Sequence, residues 1–242
     1  SALWATALAG RGITGPPNAL EGSAGLFAVY RNADPCTLEE LVAPRDFYEV
    51  QRDSIKPHPC CCVSDAHVAV LLGREHDFRL EDIEHIQVHM SSRGLTGGAF
   101  QLGSDPQVSV QFSTAYCVAL GVLRGRMGLA EITDEQVLAD TEVLELARKV
   151  VMEPMDDLPV PIPPNPDLVE WTRHGNRYHG VKVRTRDGHT YSCFRTHREV
   201  LGPEAMTPEA VIGKFHECAE FSGICSPRQA DDIVASIMDL GE

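Results

Sequence analysis

The eight cysteines of this 242-residue chain, at positions 36, 60, 61, 62, 117, 193, 218 and 225, include no C-x-x-C pair and no repeated spacing. That pattern argues against a zinc ribbon, a redox dithiol or a disulfide framework, and a chain of this length buries enough core to need no staples. No apolar run reaches the length of a membrane span. Basic residues are few: 21 Lys and Arg stand against 35 Asp and Glu, for a net charge of −14, and they are scattered. Phosphate binding needs a concentrated basic face, so a nucleic-acid partner is excluded, as is a membrane. No secretory leader pattern, internal repeat or low-complexity segment is recognisable, and the expected location is reducing and cytoplasmic. With 43% hydrophobic and 23% charged residues, the composition is that of an ordinary globular protein.

Against this background one stretch stands out, Ser54 to His67, which holds a lysine, two prolines, two histidines, three consecutive cysteines and an aspartate ahead of the apolar run Val68–Leu72. Pro57 and Pro59 fix φ, remove two backbone donors and bias Lys56 and His58 toward extended conformations, which predicts a stiff loop able to aim side chains. Lys56 is either ordinary solvated charge or a local cation that attracts an anionic ligand against the overall field. A metal cluster built from Cys60, Cys61, Cys62, His58 and His67 is disfavoured, because adjacent ligands point in different directions. Cys117 and Cys218 fall on apolar helix faces, where cysteine behaves as a small hydrophobe.

The rest of the chain reads as α+β. Ser1–Gly10 predicts a helix without a preceding cap, ended by Gly12, and residues 25–30 form a short apolar segment before an acidic one at 34–40. His85–Met90 alternates, with Ile86, Val88 and Met90 on the buried face of a strand. Phe112–Leu123 predicts a helix, and Thr133–Gln136 a capping box that opens another, with Val137, Leu138, Leu144, Ala147 and Val150 as its stripe. The six prolines in 152–166 predict a connecting loop. Residues 178–185 and 189–194 flank Asp187-Gly188 as a hairpin, Thr207-Pro208 starts a helix, and Ser226–Gln229 caps a last one.

Four segments in series, Arg11–Phe27 (RGITGPPNALEGSAGLF), Ser54–Cys61 (SIKPHPCC), Asp105–Gly125 and Asp187–Phe215, resemble the MmgE/PrpD family, which includes 2-methylcitrate dehydratase, cis-aconitate decarboxylase and iminodisuccinate epimerase. The resemblance covers the C-terminal half of that family. It implies a small α+β domain, residues 49–205, flanked by helices of a larger all-helical domain at 1–48 and 206–242. It also implies a missing N-terminal helical half, as a separate subunit or segment, and a dimer of the composite unit.

The implied chemistry is dehydration or decarboxylation of a small di- or tricarboxylate through a carbanion-like centre, with no cofactor; the alternatives are an epimerase or a non-catalytic binding or scaffold subunit of the same fold. Such chemistry needs cations to hold carboxylates and a base and acid on defined faces. Lys56 aligns with the family's pocket lysine, as substrate-binding or proton-transfer group, and His58 takes the place of an aromatic in the substrate-binding loop. Cys62 replaces an arginine. Asp65 stands where the family has a histidine, so either Asp65 or the nearby His67 takes the acid/base role, His67 being otherwise an inert helix-start residue. Phe112, Ser113 and Tyr116 match the family helix and read as packing.

Overall fold

The computed structural model describes residues 2–15, 17–20, 22, 25–26, 54–89, 100–153, 155, 178–202 and 205–239. The apolar segment at 27–30, the acidic segment at 34–40, Met90 and nearly all of the proline-rich stretch from 154 to 166 lie outside those residues. The chain divides into two compact units, 1–51 and 52–242. In the first, α1 (Ala2–Ala9) ends where a glycine permits it: Gly12 takes φ +85°, and Ile13 N–H donates back to the Leu8 carbonyl.

The second unit is built on two helices. The apolar run after the histidine- and cysteine-rich loop continues α2 (Val63–Glu75), which buries Val63, Ala66, Val68, Ala69, Val70 and Leu72. Its partner α4 (Thr114–Arg124) is buried along nearly its whole length, from Thr114 to Val122. The two approach closely because glycines face each other: a Cβ on Gly121 would lie 2.9 Å from both Ala69 Cβ and Val70 N, and one on Gly73 would strike the carbonyls of Gly121 and Val122. Each fully buried Leu or Ile of this core contributes on the order of 2 kcal/mol.

The sheet runs in the order β2-β1-β3-β4, with β1 (Ile83–His89), β2 (Val150–Glu153), β3 (Tyr178–Thr185) and β4 (Thr190–Thr196). Ile83, Ile86, Val88, Val181, Val183 and Cys193 are buried. Parallel β1 and β2 must be joined by a crossover, and α3 (Pro106–Gln111), α4, α5 (Asp134–Ala139) and α6 (Thr141–Ala147) lie between them in sequence. Antiparallel β3 and β4 close at Arg186-Asp187-Gly188, where Gly188 takes φ +91° and Asp187 Oδ1 accepts from Thr185 Oγ1 and His189 N. Helices α7 (His197–Leu201), α8 (Pro208–Ser222) and α9 (Pro227–Met238) follow, the first and last opened by full capping boxes. The small α+β domain expected from the sequence is present.

Three boundaries differ from the sequence reading. Residues 63–67 belong to α2, so the stiff loop stops at Cys62. Ser113 interrupts the helix expected over 112–123 because its Oγ accepts from Tyr116 N as the N-cap of α4, leaving Phe112 as the end of α3. The single helix expected from Thr133 through Val150 is two helices and a strand. Asp140, held by Arg124 at 2.7 Å, caps α6 through Val143 N, and Val150 pairs with Ile86 in the sheet.

Candidate active site

The loop from Ser54 to Cys62 is fixed from several sides. Cys61 N donates to the Gln111 carbonyl at 2.8 Å, and Gln111 Nε2 donates to the Pro59 carbonyl at 3.2 Å, tying the loop to α3. Lys214 of α8 donates to the Lys56 carbonyl, while Lys56 Nζ lies 3.5 Å from the Cys60 carbonyl. Lys56 is exposed; His58, two residues on, is buried.

His58 begins a relay whose proton positions follow from its partners. Its Nδ1 lies 2.9 Å from the Met127 carbonyl oxygen, which can only accept, so Nδ1 carries the hydrogen and Nε2 the lone pair. That Nε2 lies 3.2 Å from His67 Nδ1, which must then donate. The remaining nitrogen of His67, Nε2, is left as a lone pair on a ring that lines a cleft of about 640 Å³. Burial is the main force pushing both imidazoles below their ordinary value, and at His67, which falls to about 4, the charges of Arg74 and Arg195 add to it, as does that of His58 whenever it is protonated. Both rings are therefore neutral at pH 7, and His67 offers a base.

Arg74, Arg126 and Lys214 line the same cleft beside Glu131, Glu217 and Glu220, and Arg126 is paired with Glu131 at 2.9 Å. A neighbouring cleft of about 420 Å³ is lined by Lys56, Cys60, Cys61, Gln111 and Phe112 and shares His58 and Lys214 with the first. Lys214 thus borders both openings, with Lys56 on the smaller and Arg74 and His67 on the larger. Cations in this arrangement can hold the carboxylates of a small polyanion while His67 takes a proton.

Lys56, His58 and His67 come together at these clefts. Asp65 goes elsewhere. Two residues on a helix are separated by about 200°, so with His67 turned to the cleft Asp65 faces the sheet. There its Oδ1 accepts from Nδ1 of His179 on β3 at 2.9 Å. His179 Nε2 in turn lies 3.4 Å from His197 Nδ1, and that nitrogen is 3.5 Å from Ser64 Oγ. Tyr116 packs on Phe100 in the core with its hydroxyl buried, and Ser113 is a cap, whereas Phe112 is 59% exposed.

Sequence reasoning missed Lys214 and Arg74, which look like surface charges until the fold brings α8 and the end of α2 to the loop. It also missed the convergence of Cys60 and Cys62 with Cys117, whose sulfurs all lie within 4.8 Å of one another. Hydrogen bonds from Cys117 and Cys62 pull the Cys60 thiol down to about 5, with help from the Lys56 charge. The other two thiols are pushed up.

A family model of the MmgE/PrpD C-terminal domain matches residues 58–240. A search of curated proteins finds no match to the chain.

Proposed function

Because the chain belongs to the MmgE/PrpD family through its C-terminal domain, we propose that it supplies one wall of the active site of a cofactor-independent lyase acting on a small di- or tricarboxylate. The observation that carries this reading is the His58–His67 relay, which leaves a neutral His67 Nε2 in a cleft whose lining includes Arg74 and Lys214. In the proposed reaction Lys56 and Lys214 hold substrate carboxylates. His67 Nε2 removes the proton on the carbon next to one of them, and the electron pair so released forms the new carbon–carbon double bond as hydroxide leaves. An acid from the other wall of the pocket protonates the hydroxide to water. Decarboxylation would use the same cations, with the electron pair left by carbon dioxide taking up a proton from the pocket.

His58 is a substrate-side and positioning residue, since it fixes the tautomer of His67. Asp65 acts at one remove, holding the first turn of α2 against β3 through His179. The other wall is proposed to be a helical partner, as a separate subunit or a further segment, in a composite unit that pairs as a dimer. The apolar residues left on α8 and α9 support this: Phe221, Ile233, Ile237 and Met238 are each at least 41% exposed, and α8 buries none of its residues.

The test is a substrate screen. The chain assembled with the helical half is offered 2-methylcitrate, cis-aconitate and related di- and tricarboxylates, and loss of water or carbon dioxide is followed by mass spectrometry. Turnover of one of them is expected. Exchange of a substrate C–H in deuterated water without net elimination would instead assign an epimerase, and no turnover with any carboxylate would favour a binding or scaffold subunit.

A further inference from the structure

The three thiols that converge behind the Lys56 loop are not used by the proposed reaction. Cys60 lies in the loop, Cys62 at the N-cap position of α2, where it makes no side-chain capping bond, and Cys117 in the middle of α4. Cys117 lies 55 residues beyond Cys62, which is why the set is not visible as a ligand spacing in the sequence. The fold brings their sulfurs within 4.8 Å of one another, with Cys60 and Cys117 buried.

We propose that Cys60, Cys62 and Cys117 form a binding site for one thiophilic divalent cation of the zinc class. The reach of the sulfurs fits. In a tetrahedral zinc site with bonds of about 2.3 Å, neighbouring sulfurs stand about 3.8 Å apart, so the cluster needs only a small contraction. The scaffold also fits, because the ligands sit on two helices locked together at Gly73 and Gly121, and on a loop anchored to α3 and α8. Rigid elements of this kind hold a ligand set near its bound geometry.

Charge favours a divalent ion. Three thiolates with a dication carry a single net negative charge, and Lys56 stands over the Cys60 side of the cluster to offset it. Soft thiolate ligands select zinc-like and monovalent copper ions over magnesium and calcium, and three sulfurs leave zinc one further position. Cys60 borders the 420 Å³ cleft, which has room for a water to fill that position. The ion is structural: it fastens the loop that presents Lys56 and His58, and it takes no part in the proton transfer at His67.

Metal-stripped chain, kept reduced, is titrated with Co²⁺ as a spectroscopic substitute for zinc and then with Zn²⁺ against a chromogenic chelator. One equivalent of Co²⁺ should give sulfur-to-metal charge-transfer absorption in the near ultraviolet, displaced by Zn²⁺. Cys60→Ser and Cys62→Ser should each weaken Zn²⁺ binding by about 100-fold or more. Cys61→Ser should leave it unchanged, because Cys61 is exposed and outside the cluster. Cys117→Ser completes the set if circular dichroism shows that it folds. Absence of the charge-transfer band, or equal affinity in folded Cys60→Ser and wild type, or an equal loss in Cys61→Ser, overturns the assignment.

Discussion

At the scale of single residues, the protonation of His67 is the property on which the chemistry turns. Its ordinary value of 6.5 falls to about 4 in the fold. Between those two pH values the unfolded chain takes up a proton that the folded chain refuses. The contribution of this group to stability is therefore complete above pH 6.5 and is lost as pH falls toward 4. Nuclear magnetic resonance titration of the ring should find His67 neutral at pH 5, with its hydrogen on Nδ1 and its lone pair on Nε2; an imidazolium at pH 5 would contradict the lowered value. Denaturant midpoints at pH 7 and pH 5 should differ less in His67→Asn than in wild type. Tyr116 makes a different prediction. Its hydroxyl is buried and has no hydrogen-bond partner among the described residues. Tyr116→Phe should therefore keep the ring packing against Phe100 and raise stability by about 1 kcal/mol, read as a shift of the urea midpoint.

At the scale of elements, the contact between α2 and α4 sets the position of everything in the site, since α2 carries His67 and α4 carries Cys117. Gly73→Ala would drive a methyl group into the carbonyls of Gly121 and Val122, which are backbone and cannot yield as a flexible side chain would. The expected loss is about 3 kcal/mol of unfolding free energy, whereas Gly213→Ala, inside α8 where a Cβ meets nothing within 4 Å, should gain up to about 1 kcal/mol from helix propensity. Elements of this kind were partly legible in the sequence. The alternation of Ile86 and Val88, the Asp187-Gly188 turn and the caps at Thr207 and Ser226 are local signals, and each marks the element it was read to mark. What escaped was decided by distant partners. Val150 continues an apolar helical stripe on paper, yet its parallel pairing with Ile86 makes it a strand, and Asp140 becomes a helix cap beside its ion pair with Arg124. The same holds for the candidate site: Lys56, His58 and His67 lie within one short stretch of sequence and could be singled out there, whereas Lys214 and Cys117 reach the loop only through tertiary packing.

At the scale of the whole molecule, α8, α9 and the turn between them carry apolar side chains that the described residues leave in water, Ile224 of that turn among them at 88% exposure. Removing such area from water is worth roughly 25 cal/mol per Å², so a partner with a matching helical surface should bind with a large hydrophobic contribution. Size-exclusion chromatography with light scattering should show the isolated chain self-associating, and a defined complex forming with the helical half; a stable monomer that turns over substrate by itself would remove the need for a second wall. The central claim is that Lys56 and His67 act on a carboxylate substrate. It is tested most directly by the kcat/KM of wild-type, Lys56→Ala and His67→Asn enzymes, each assembled with the helical half, on the carboxylate found by the screen. Each substitution should lower kcat/KM by about 100-fold or more with unchanged circular dichroism, and wild-type kcat/KM in folded Lys56→Ala or folded His67→Asn would contradict the claim.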